Sequence, residues 1–153
     1  MNFESGRISE SEFASDIVPE LGLKLEPEEF LHIFRNWPLE ISDNTTSILG
    51  KITGIIPSAT LSNTNPLHWD RIESRLEGLF DSHFPSHITG LLKPDPEAFL
   101  NAARYLGKKP DKIIFFDDTE INVESALRSG FRAFCVKSVA DAEAALLRIG
   151  VIL

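Results

Sequence analysis

The chain is nearly without cysteine. Cys135 is the only one, so no disulfide can close within it. It sits in the apolar run Ala133-Phe134-Cys135-Val136, where a buried, inert thiol is the expectation. Long apolar runs are missing too, and none approaches the roughly 18 residues that a membrane-spanning helix needs. Basic runs are absent, and the formal net charge is -8. Nucleic acid and anionic membranes both reward clustered Lys and Arg, so neither is expected as a partner. The opening Met1-Asn2-Phe3-Glu4-Ser5-Gly6-Arg7 has no signal-peptide pattern, which makes a cytoplasmic protein the default. No repeat and no low-complexity segment interrupts the chain. The whole chain is 42% hydrophobic over 153 residues, enough to build a real core.

The first 50 or so residues read as helical. Ser9 stands three before Glu12, a capping-box spacing, with Phe13, Ile17 and Leu21 following and Gly22 as a stop. Pro27-Glu28-Glu29 opens a second helix through Phe30, Leu31 and Phe34, which Trp37-Pro38 breaks. A third is expected from Asn44 to about Leu49. Trp37, Phe30 and Phe34 read as the core of this helical part rather than as a substrate surface.

From Ile55 strands and helices alternate. A strand ends in Leu61-Ser62-Asn63-Thr64, and a helix runs from about Pro66 to Leu76. Ser86 to Gly90 reads as a short strand. Asp95-Pro96-Glu97 starts a helix with an N-cap, a proline at its first position and an acid in its first turn. The strand 112–116 is apolar enough to be buried on both faces. A helix follows with Val123, Ala126 and Leu127 inward, then a strand from Arg132 to Lys137, then a helix with Ala140, Ala144 and Leu147 at core spacing. This rhythm implies a parallel sheet with helices on its faces, an α/β fold.

Polar features fall beside three strand ends. Asp117 and Asp118 close the apolar strand, on the edge where open α/β sheets bind ligands. Adjacent carboxylates repel unless a cation neutralises them, and Mg2+ takes oxygen ligands. Asp118 alone could be an N-cap, but a second acid at a buried strand end costs free energy unless it is compensated. Ser62 offers a hydroxyl, with free N–H groups beside it, to an anion. Lys93 stands in a proline-flanked segment that fixes one positive charge. Each alone has an ordinary reading as a turn residue or solvated lysine; their order makes a site for a phosphate and a divalent metal. His83 and His87 are four apart, but Pro85 between them opposes a helix and hence a zinc site.

Leu61-Ser62-Asn63-Thr64-Asn65, then Lys93-Pro94-Asp95-Pro96, then Phe116-Asp117-Asp118-Thr119-Glu120-Ile121-Asn122 resembles the haloacid dehalogenase superfamily. The likeness covers about residues 55 to 138 and is nearest to the phosphatase branch with a small helical cap, similar to sugar-phosphate phosphatases. Phe3 to Phe13 also resembles that branch's cap. The resemblance implies a Rossmann-like core at 53–153 with an N-terminal helical cap at 1–52. It implies that Ser62 and the backbone of Asn63 hold the phosphoryl group and that Lys93 offsets charge. Asp117 and Asp118 would hold Mg2+, and Asn122 would shape the metal loop. The substrate would be a small phosphorylated metabolite.

The family's chemistry begins with an Asp-x-Asp motif at the end of its first, central strand, and no Asp-x-Asp occurs here. A strand and a helix are therefore expected to be missing, leaving a truncated chain that is inactive alone. A gap would open between the strand ending at Ser62 and the one ending at Asp117. A second chain, a homodimer partner or a missing segment would fill it. A noncatalytic pseudo-phosphatase or partner-binding module is the alternative, and a split enzyme a further one. A receiver domain is opposed by the order, since its acid pair comes first and its lysine last.

Overall fold

The computed structural model describes residues 2–39, 41 and 43–152. Three helices come first: α1 (Glu10–Glu20), α2 (Pro27–Arg35) and α3 (Asp43–Ile52). Next come β1 (Ala59–Ser62), α4 (Pro66–Leu76), β2 (Ser82–Pro85) and α5 (Ser86–Thr89). Then follow α6 (Pro96–Tyr105), β3 (Ile114–Asp117), α7 (Glu120–Arg128), β4 (Arg132–Cys135) and α8 (Val139–Arg148). The alternation expected from Ile55 onward is present, and the fold is α/β.

Local chemistry explains the helix starts. Ser9 and Glu12 form a reciprocal capping box on α1. Asp95 accepts from the Glu97 N–H with Pro96 next in line, and Asn65 and Ser138 cap α4 and α8 in the same way. α1 and α2 are joined by aromatic packing. Phe3 stacks on Phe13 at 4.3 Å between ring centroids, and Phe34 meets His68 of α4 at 4.4 Å. Arg71 of α4 donates to the carbonyls of Arg35 and Trp37, satisfying groups that the end of α2 leaves open. Phe30 and Phe34 thus sit in this aromatic cluster, whereas Trp37 is exposed. α3 packs against α8 through Ile48 and Leu146.

The strands form two parallel pairs. β1 pairs with β2, Ala59 opposite Ser82, and β3 pairs with β4, Ile114 opposite Arg132. Among the described residues no ladder joins β1 to β3. Between them lies a groove of about 750 Å³, lined by Ala59, Thr60 and Leu61 on one wall and Ile113 to Asp118 on the other. Below the sheets Phe99 is fully buried, meeting the rings of Phe115 and Phe131 edge-on at 5.3 Å and 5.9 Å.

Several local expectations are corrected. The strand placed at Ser86 to Gly90 lies earlier, at Ser82–Pro85; Pro85 has no N–H to extend the ladder, and the chain turns into α5. β3 is only half-buried from Ile114 to Phe116, because its edge opens on the groove. Cys135 is exposed, not buried: it ends a strand that, among the described residues, pairs on one side only, against β3. On α7 Leu127 is 52% exposed, and Asn122 and Ser125 are buried with Val123 and Ala126. On α8 Ala145 and Leu146 are buried while Leu147 points out. Alanine-rich sequence supports two adjacent helical stripes equally, and docking against α3 selects one.

Candidate active site

The three polar features converge at the C-terminal ends of β1 and β3. Lys93 Nζ lies 2.7 Å from Asp117 Oδ2, and the two side chains are only 12% and 6% exposed. The other carboxylate oxygen, Oδ1, accepts from the Thr119 N–H at 2.8 Å and from the Asn122 amide at 3.1 Å. Burial pushes the Asp117 carboxyl up. The Lys93 ammonium, the Thr119 N–H and the Asn122 amide together outweigh that and hold it below the usual carboxylate range. A buried acid at a strand end is thus compensated, as the sequence requires, here by a lysine 24 residues away.

Asp118 is exposed, with its Oδ1 3.3 Å from the Thr119 hydroxyl, and lines the same groove as Asp117. The Lys137 ammonium donates to the Asp118 carbonyl and ties the loop to the start of α8. Ser62 ends β1, and Asn63 follows with its carboxamide bonded to the Lys93 main chain at 2.8 Å and 2.9 Å. Asn122 is buried on α7 behind Asp117. His83 lies on β2 with Nδ1 3.0 Å from the Thr60 hydroxyl, while His87 is on α5.

Two hydroxyls that the motifs do not mark are also placed here. Ser86 is 1% exposed and donates to the Glu4 carbonyl at 2.6 Å. It also accepts from the Thr64 N–H at 2.9 Å, fastening the loop after β1 to the N-terminal turn. Ser125 is fully buried and donates to the Pro94 carbonyl at 2.5 Å. The available signal was a hydroxyl three residues after Asn122, on the same helical face.

Among the described residues no group of three or more His, Cys, Asp or Glu side chains gathers as a metal cage. Mg2+ does not demand one. It commonly takes one or two carboxylates and completes its shell with water and substrate phosphate. Asp117 and Asp118, with the groove open beside them, fit that donor set. No helix among the described residues is long and apolar enough to cross a membrane.

Known proteins resemble the chain in sequence and structure. A predicted HAD-like hydrolase of Porphyromonas gingivalis is 30% identical, with a TM-score of 0.80 over 96% of this chain and 77% of that one. A HAD family enzyme of Bacteroides thetaiotaomicron, solved with magnesium and inorganic phosphate, is 25% identical with a TM-score of 0.77 over 89% of this chain and 73% of its own. Flavin mononucleotide hydrolase 1 of Arabidopsis thaliana is 35% identical over 75 residues, which is 48% of this chain. The match spans 31% of that relative's own length. The model of the haloacid dehalogenase-like hydrolases matches residues 10–130. With that match and the site at the strand ends, the chain belongs to the haloacid dehalogenase-like hydrolase family.

Proposed function

We propose that this chain carries the phosphate- and metal-binding half of a phosphomonoester hydrolase site acting on a small phosphorylated metabolite. The carrying observation is the buried Lys93–Asp117 pair, 2.7 Å apart at the end of β3 and beside the end of β1. Phosphoryl transfer asks a protein mainly for positioning and charge neutralisation. Ser62 and the N–H of Asn63 would bind phosphate oxygens, and Lys93 would neutralise their charge. Asp117 and Asp118 would hold Mg2+, with Asn122 fixing Asp117. The metal, when bound, supplies charge neutralisation at the phosphoryl oxygens. The magnesium and phosphate in the Bacteroides enzyme support this reading, and so does the ester hydrolysed by the Arabidopsis relative. An aspartate-to-alanine variant of the Bacteroides enzyme is also solved with both.

No Asp-x-Asp occurs in these 153 residues, so the nucleophile must come from outside them. The groove between β1 and β3 supports the means: an extended segment there would pair with both parallel edges and carry its C-terminal end to Lys93 and Asp117. On this reading residues 1–153 bind phosphate with Mg2+ but do not turn over. The same lack of a nucleophile favours a second reading, a noncatalytic binding module.

Calorimetry with inorganic phosphate and Mg2+, beside hydrolysis of p-nitrophenyl phosphate, separates these. Mg2+-dependent phosphate binding that Asp117→Asn abolishes is the expected result, with turnover appearing only when a strand peptide ending in Asp-x-Asp is added. Robust turnover by residues 1–153 alone would overturn the missing nucleophile. No phosphate binding would leave the noncatalytic module.

A further inference from the structure

Asn63 is exposed, one residue beyond β1, yet both ends of its carboxamide are bonded. Nδ2 donates to the Lys93 carbonyl at 2.8 Å, and Oδ1 accepts from the Lys93 N–H at 2.9 Å. One side chain thereby satisfies both main-chain groups of one residue, as a neighbouring strand would. The next carbonyl, on Pro94, accepts from the buried Ser125 hydroxyl at 2.5 Å. Ser125 belongs to α7, the helix that begins just past Asp117 and Asp118. The main chain at 93–94 is therefore tied to β1 on one side and to α7 on the other. Lysine is flexible along its whole stem, and its charge is well placed only if its backbone is.

From these contacts we infer that Asn63 and Ser125 are positioning residues for Lys93. Together they form a two-point clamp on the peptide groups at 93–94 that sets where the ammonium stands against Asp117. The inference deepens the reading of Lys93 as the cation of the phosphate site and rests on it for its purpose, though the clamp is testable without phosphate. A side chain beside a phosphate site is naturally taken as a phosphate ligand. Here the Asn63 carboxamide serves the lysine's main chain, and its own N–H is the group left for the anion.

The test is competitive acetylation of the folded chain with acetic anhydride, with each lysine quantified by mass spectrometry. In the wild type Lys93, 12% exposed, should react far more slowly than Lys112, 71% exposed. Losing a clamp bond in Asn63→Ala or Ser125→Ala should raise Lys93 labelling by about three- to tenfold relative to the other lysines. Asn63→Ser, which keeps at most one bond to Lys93, should rise less, and it carries the test if the alanine variant does not fold. Lys93 labelling unchanged in these folded variants, or rising only in step with every other lysine, overturns the clamp. A separate arm adds inorganic phosphate and Mg2+ to the wild type. Failure to shield Lys93 there counts against the phosphate reading alone, because the clamp is judged on the variants.

Discussion

Gly6 shows how one backbone angle is enforced. Its φ is +68°, and a Cβ there would come within 2.3 Å of the His87 carbonyl oxygen. Both the left-handed conformation and the close approach require glycine. Gly6→Ala should therefore destabilise by more than about 1 kcal/mol, seen as a lower urea midpoint with unchanged slope. His87, beyond that contact, has its pKa lowered: burial depresses it, against the attraction of Asp70 and Glu73. It faces the Trp69 ring, and its Nδ1 is buried without a partner. A depressed histidine binds its proton more readily when unfolded. Its stabilising contribution is complete above the unfolded value of 6.5 and is lost as pH falls below that toward the folded value. Urea midpoints between about pH 7.5 and 5.5 should fall for the wild type and fall less for His87→Gln. The caps and the acid pair were legible at this scale because a residue and its near neighbours decide them. Exposure of Cys135 was not, because it depends on whether another strand lies beyond β4.

Helices and strands were readable in existence and order, and their faces less so. α6 illustrates the readable kind: Asp95, Pro96 and Gly107 mark its ends, and Phe99, Ala102 and Ala103 bury its stripe. Phe99→Ala removes a ring in contact with two others from a site with no exposure, and should cost about 3–5 kcal/mol in urea unfolding. Tyr105→Ala, on the same helix at 75% exposure but edge-on to the buried Phe84 ring at 5.2 Å, should cost less, about 0.5–1.5 kcal/mol. α7 and α8 illustrate the other kind. On α8 alanines leave two stripes equally apolar, and on α7 Ile121 and Leu127 compete with Val123 and Ala126, so only contact with neighbouring elements chooses between them. On α7 the choice puts Asn122 and Ser125 inward, where they serve Asp117 and Lys93.

The molecule as a whole is organised around an interval between two strand pairs. Parallel edges left unpaired among the described residues, beside an apolar groove, are a template for an added strand. A peptide bound there, and not to the unfolded chain, should raise the melting temperature with the logarithm of its concentration over Kd; at a hundredfold excess over its Kd the gain is about 2.7 kcal/mol. Differential scanning calorimetry with a parallel-strand peptide ending in Asp-x-Asp measures this. A scrambled peptide of the same composition should give no shift, and equal shifts from both would count against strand pairing. The sequence by itself determined the family, the Ser9 and Asp95 caps and the order of elements. These follow from local rules and from motif order. Asn122 aside, only the tertiary structure decided which neutral side chains hold the site and its loops in place. Asn63 reaches Lys93 across 30 residues, Ser125 reaches Pro94 across 31, and Ser86 reaches Glu4 across 82. Hydrogen bonds over such separations leave no periodic trace in the chain. They exist only where the fold has already brought their partners together. The acid pair was readable because its cost was local, and Lys93 became identifiable as the partner of Asp117 only in the folded chain.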